Sequence, residues 1–119
     1  MPTPVKSLLR NLDLSEREAA VYLAALRLGE ATAAEIAHVV RLPRTTTTSI
    51  LDRLRSLGFV ATHRVRGRTM YWIEDPRVLV EHGRARLSMV ETLASRLQME
   101  YHRADRKPSV ETYETKETI

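Results

Sequence analysis

Residues 31–73 constrain the chain most, because they set a helix, a short turn, a second helix and two strands in uninterrupted succession. Ala31 to Val40 reads as the first helix, Arg41-Leu42-Pro43 as the turn, and Arg44 to Leu57 as the second helix, with Gly58 at its C′ position. Phe59 to Val65 and Thr69 to Ile73 then read as strands around Arg66-Gly67-Arg68. That order is the ground plan of a winged helix-turn-helix, which seats one helix in the major groove of DNA and its hairpin against the flanking backbone. The expected fold is mainly α with a small β-hairpin.

Two capping boxes fix helix starts upstream. Ser15-Glu16-Arg17-Glu18 opens a helix over Glu16 to Leu28, with Ala19, Tyr22, Leu23, Leu26 and Leu28 at helical spacing and Gly29 as its stop. Thr32-Ala33-Ala34-Glu35 is the second box. Before them, Lys6 to Asn11 suits a short helix with Val5, Leu8, Leu9 and Leu12 inward.

Downstream, Asp75 as N-cap and Pro76 at N1 start a helix running to about Asp105, roughly 45 Å long. Val80, Gly83, Leu87, Val90, Ala94, Leu97 and Tyr101 follow one another by alternating steps of three and four, an imperfect heptad seam flanked by Leu79, Met89 and Leu93. A three-helix head cannot cover so long a helix. Leaving Leu87, Val90 and Leu97 in water forfeits about 1.5–3 kcal/mol each, so a second copy of the chain is the expected cover. The seam residues taken as dimerising are Val80, Leu87, Val90, Ala94, Leu97 and Tyr101. The organisation expected is therefore a DNA-binding head over 1–74, a coiled-coil-like dimerisation helix over 75–105 and a tail over 106–119. In the tail Val110, Thr112 and Tyr113 suit a strand without a local partner, expected to fray or dock loosely.

Charge is distributed unevenly along this plan. Residues 1–73 carry eleven Lys/Arg against six Asp/Glu, whereas residues 74–119 carry eight against nine. Sixteen of the nineteen basic residues are arginine, whose fork suits phosphate and guanine. A genome rich in G and C also favours arginine, so the position of the excess says more than its size. No cysteine is present, which removes disulfides, thiolate metal sites and cysteine nucleophiles. The N-terminus lacks the apolar run of a signal peptide, and nowhere do about 18 apolar residues occur together. A cytoplasmic location fits, with no membrane partner.

On the second helix, at about 100° per residue, Thr47, Ile50, Leu51, Leu54 and Leu57 fall on a core face. Thr45, Thr48, Ser49 and Asp52 fall opposite, with Arg44 and Arg53 on the flanks. Threonine is a poor helix former, and a run of it costs propensity unless something else uses the hydroxyls. Arg44, Thr45, Thr46, Thr48, Ser49 and Arg53 are therefore the candidate groove contacts, against a plain reading as a solvated first turn. Asp52 would repel phosphate and is expected to pair with Arg53, Arg55 or Arg44, or to accept from a cytosine amine. In the hairpin, Arg64, Arg66 and Arg68 alternate around Gly67 and can project together onto the backbone or into a narrow minor groove. The plain reading there is a charged, solvated tip.

Other constellations are weak. His38, His63, His82 and His102 form no i,i+4 pair, and His102 with Asp105 is an ordinary surface pair before it is a metal sensor. Trp72 is expected to point outward if Tyr71 and Ile73 point in, covering the base of the long helix or lining a small cavity there. No nucleophile elbow, phosphate loop or catalytic carboxylate pair occurs, so neither an enzyme nor a cofactor or metal is expected.

Taken in order, Leu14 to Leu26, Gly29 to Ala37, Leu42-Pro43-Arg44-Thr45, Ile50 to Leu54, Leu57-Gly58-Phe59-Val60 and Tyr71 ahead of Asp75-Pro76 resemble the TrmB family of transcriptional regulators. The resemblance covers residues 8 to about 80. It implies a winged-helix DNA-binding domain followed by a dimerising helix, with the recognition helix starting at Pro43-Arg44-Thr45. Many members add a sugar-binding domain opening Lys-Pro-x-Val-x-x-Tyr-Glu-Gly. Lys107 to Glu114 looks like that opening, but Thr115 stands where glycine is usual. Sugar sensing does not carry over, and the effector is left open. Either the regulator is naturally short or the chain stops at a domain boundary. The expected function is sequence-specific binding of double-stranded DNA by a homodimer, most simply as a repressor. The rival is a winged helix used as a protein-interaction module in a larger assembly.

Overall fold

The computed structural model describes residues 4–104 and divides into two units, residues 1–83 and 84–119. In the first unit α1 (Val5–Arg10), α2 (Glu16–Leu28), β1 (Ala31–Thr32), α3 (Ala33–Val40), α4 (Arg44–Ser56), β2 (Val60–Val65) and β3 (Arg68–Ile73) follow in order. The final helix, α5 (Val78–Ala104), begins in it and makes up the described part of the second.

Both capping boxes form as their sequences require. Ser15 Oγ accepts from the Glu18 amide while the Glu18 carboxylate accepts from the Ser15 amide, and Thr32 and Glu35 repeat the exchange. Thr32→Ala removes one such acceptor from a buried helix start. It is expected to cost about 0.5–2 kcal/mol of stability, read as a shifted denaturant midpoint with an unchanged slope.

The second end of α4 is equally well defined. Gly58, at φ 85°, lets its amide bond to the Arg55 carbonyl and the Phe59 amide to that of Leu54. This is a Schellman closure, and its accompanying apolar contact is central here, since Leu54 and Phe59 are both fully buried. Phe59 also meets Tyr22 edge-on, with ring centroids 6.5 Å apart. Around them Leu9, Leu14, Val21, Ile36 and Leu51 complete the core, with Val78 and Leu79 packed on its margin.

The wing belongs to a sheet of three strands, ordered β1-β3-β2 and antiparallel throughout. Val65 faces Arg68, which leaves Arg66-Gly67 as a two-residue turn. Both turn residues have positive φ, 52° and 78°, as the twist of a tight hairpin demands. Gly67 accepts that geometry without strain; Arg66 does not, and is held in it by the strands.

Several sequence expectations are corrected. Ala31 does not open a helix: it pairs with Tyr71 and Thr32 pairs with Met70, so α3 begins at Ala33. Such a two-residue strand has no periodicity of its own and exists only because β3 lies beside it. In α1 only Leu9 is buried, while Val5 and Leu8 are exposed. In α2 Leu26 and Leu28 are exposed and Val21, Ala24 and Ala25 are inside, so the buried arc is rotated and lined by smaller residues. The last helix starts at Val78 instead of Pro76. Asp75 accepts from the Arg77 amide at 2.9 Å, and i to i+3 bonds from Val78, Leu79 and Val80 form a tighter turn first. Trp72 lies half-buried against His63, ring centroids 4.7 Å apart, on the sheet face opposite Tyr71. No residue of α5 is buried. The expected strand in the tail and the His102–Asp105 pair fall outside the described residues.

Candidate nucleic-acid interface

The start of α4 is chemically open. Unlike α2 and α3 it has no side-chain cap and no acid in its first turn, Pro43 standing at the N-cap. Its first amides and the positive end of its dipole are therefore available to an anion. Thr47 does not share that role. It is fully buried, and its hydroxyl donates to the Pro43 carbonyl at 3.0 Å, which explains one member of the threonine run as a structural bond. Arg44, Thr45 and Ser49 are exposed, and Thr46 and Thr48 are half-buried on the flanks.

The recognition helix and the wing meet around one cleft of about 420 Å³. Arg44 and Thr48 line it from α4, Arg64, Gly67, Arg68, Thr69 and Tyr71 from the hairpin, and Thr32, Ala33 and Ala34 from the start of α3. Three arginines thus border one concavity. Arg64 is fixed there: it donates to Thr69 Oγ1 at 3.0 Å and to the Gly67 carbonyl at 2.9 Å. Both partners are neutral, so the bonds orient the charge without cancelling it. Arg66 sits at the exposed tip of the turn and does not line the cleft.

Two carboxylates temper this charge. Glu35 is held below the usual carboxylate range by the Thr32 amide first, by the Thr32 hydroxyl next and also by Arg68. A depressed folded-state value means its contribution to stability is complete above the ordinary carboxylate range and is lost as pH falls through the folded one. Glu35→Gln should flatten that acid limb in thermal melts across pH. Asp52 is exposed on α4 and has no salt bridge among the described residues, contrary to the expected pairing with Arg53, Arg55 or Arg44.

Arg53 turns the other way. Its guanidinium lies 2.8 Å from Glu18, the same carboxylate that closes the Ser15 capping box, and Glu18 is largely covered. The pair ties α4 to the start of α2. Helix geometry places Arg53 on a flank of α4 but carries no sign of this partner, because Glu18 lies thirty-five residues earlier. Thr69 and Tyr71 were also missed as members of the cleft. The hairpin register would have revealed Thr69, which stands opposite Arg64 once the turn is read as two residues. Among the described residues no cluster of His, Asp or Glu could hold a metal ion, and no helix is long and apolar enough to cross a membrane.

Comparison with known families decides the assignment. The family described as sugar-specific transcriptional regulator TrmB matches residues 9–77. This chain belongs to the TrmB family. Its members are transcriptional regulators with a winged-helix DNA-binding domain, and this TrmB-family chain carries that domain. Among solved structures it is similar to TrmBL2, an archaeal chromatin protein whose structure shows a novel mode of DNA binding. The two share 26% identity at a TM-score of 0.70, over 84% of this chain and 40% of TrmBL2. The chain thus spans well under half of that relative's length. A possible transcriptional regulator from Methanosarcina mazei Go1 has a similar fold at 15% identity and a TM-score of 0.59, covering 85% of this chain and 88% of its own. ST1889 from the archaeon Sulfolobus tokodaii does so at 21% identity and 0.53, covering 66% and 85%. No curated protein matches. The TrmB-family match ends at the turn before α5, so it bears on the head and not on the long helix.

Proposed function

We propose that this TrmB-family protein is a homodimeric, sequence-specific binder of double-stranded DNA that acts as a repressor. The observation that carries the reading is the convergence of Arg44, Thr48, Arg64 and Arg68 on one cleft beside the exposed Thr45 and Ser49. Arg44, Thr45, Thr46, Thr48 and Ser49 face the major groove, while Arg64, Arg66 and Arg68 grip the flanking backbone. Arg53 contributes by seating α4 against Glu18 and not by touching DNA. Residues 75–105 form the dimerisation segment, through Val80, Leu87, Val90, Ala94, Leu97 and Tyr101. Repression needs no more than occupancy of promoter DNA, and a two-fold protein calls for a pseudo-palindromic operator with half-sites about one helical turn apart.

A mobility-shift titration against mixed genomic duplex at low salt tests the reading. A shift is expected. Arg44→Ala should then weaken binding to a selected site most, and Arg66→Ala should weaken all sequences alike. A chain that leaves duplex unshifted in dilute buffer would instead favour a protein-interaction module, and equal effects of both variants on every sequence would remove the division between groove and backbone contacts.

A further inference from the structure

Tyr71 is 6% exposed, yet its hydroxyl has no hydrogen-bond partner among the described residues. A buried phenol ordinarily finds one. The register explains where this one points. Tyr71 pairs with Ala31 on one side and Thr62 on the other, so strand alternation places it on the same sheet face as Thr69 and Arg64. The charged groups acting on it all come from α4, namely Asp52, Arg55 and Arg44, and the residue lines the cleft. The phenol is therefore a polar group without a protein partner among the described residues, set in a cleft that Arg44, Arg64 and Arg68 also line.

Those charges call for an anion, and the cleft's other wall indicates which. Ala33 and Ala34, at the start of α3, line it, and the first helix of a helix-turn-helix crosses the DNA backbone. We infer that the Tyr71 hydroxyl donates a hydrogen bond to a backbone phosphate drawn into the cleft by Arg64 and Arg68. The inference rests on the DNA-binding reading above and adds a contact to it. Burial first, and Asp52 next, hold the phenol above its ordinary value against the opposing pull of Arg55 and Arg44, so the hydroxyl keeps the proton it must donate. Because the phosphate belongs to every nucleotide, the contact fixes register and orientation and reads no base.

Tyr71→Phe in the full chain isolates the hydroxyl. No internal bond is lost, so thermal stability should be unchanged or raised. Affinity for a duplex selected by the wild type should fall about tenfold per head at fixed salt, the scale of a hydrogen bond to a charged group. The slope of log affinity against log salt should not move, since a hydroxyl releases no counterion, whereas Arg68→Ala should lower it by about one per head. A neutral methylphosphonate at one phosphate of each half-site should weaken the wild type and add nothing to the loss already present in Tyr71→Phe. Equal affinity of variant and wild type, or an equal methylphosphonate penalty in both at every position, would overturn the assignment while leaving DNA binding intact. A wild type that ignores duplex altogether would end the DNA-binding reading and this contact with it.

Discussion

Val90→Asp and Leu97→Asp are each expected to turn the proposed dimer into a monomer in sedimentation at micromolar concentration, with the head still folded. Both residues lie on the α5 seam, 51% and 54% exposed within one chain, and no residue of that helix is buried. A helix of twenty-seven residues bearing Val80, Leu87, Val90, Leu97 and Tyr101 along one side has an apolar stripe that the other described residues leave in water. A partner helix removes that cost at about 25 cal/mol per Å² covered. An aspartate on the seam would have to lose its water there, and across a two-fold axis it would often face its own copy. Loss of pairing should weaken operator binding by a further factor of about 10²–10⁴, because two linked heads engage two half-sites as one event. Met99→Asp is the control. Met99 is 63% exposed but lies away from the seam, so its replacement should leave the dimer intact. A Leu97→Asp chain that sediments as a dimer, or a Met99→Asp chain that falls apart equally, would exclude this seam.

Local chemistry made the helices of the head legible. Ser15 and Thr32 each name a helix start because the residue that answers them is only three positions away, and Gly58 names an end for a similar reason. Periodicity did less well where the core is built from small residues. In α2 the buried face is lined by Ala19, Val21, Ala24 and Ala25 beside Tyr22, and the larger Leu26 and Leu28 lie outside it. Ranking residues by size therefore turned the helix the wrong way at its end. β1 was not legible at all, since Ala31 and Thr32 become a strand only by pairing with Tyr71 and Met70, some forty residues later.

The site divides along the same line. That Arg44, Thr45 and Ser49 point outward follows from helix geometry alone, and the hairpin arginines follow from the turn. Which arginines remain available does not follow. Arg64 is oriented by Thr69 and Gly67, and Arg53 is bound by Glu18, so two side chains of one type serve different ends. The buried phenol of Tyr71 was likewise invisible, because a tyrosine in a strand reads as core until its hydroxyl is found without a partner.

Raising salt from about 50 to about 200 mM is expected to weaken DNA binding by about 10³–10⁵-fold, the range for about six to ten phosphates neutralised. The structure supplies a count of that size. On each head the backbone-gripping Arg64, Arg66 and Arg68 face the cleft or the wing tip without a salt bridge among the described residues. A dimer then releases counterions from about six phosphates, and log affinity should fall against log salt with a slope of about −5. Arg53 is left out of the count because Glu18 already neutralises it at 2.8 Å. Arg53→Ala should therefore lower affinity by loosening α4 while leaving the slope where it was, and Glu18→Gln should share that phenotype. Arg66→Ala should do the reverse, reducing the slope by about one per head with no change in stability. A slope that drops as far for Arg53→Ala as for Arg66→Ala would place the Arg53 guanidinium on phosphate. The ion pair with Glu18 would then have to open each time the protein meets DNA.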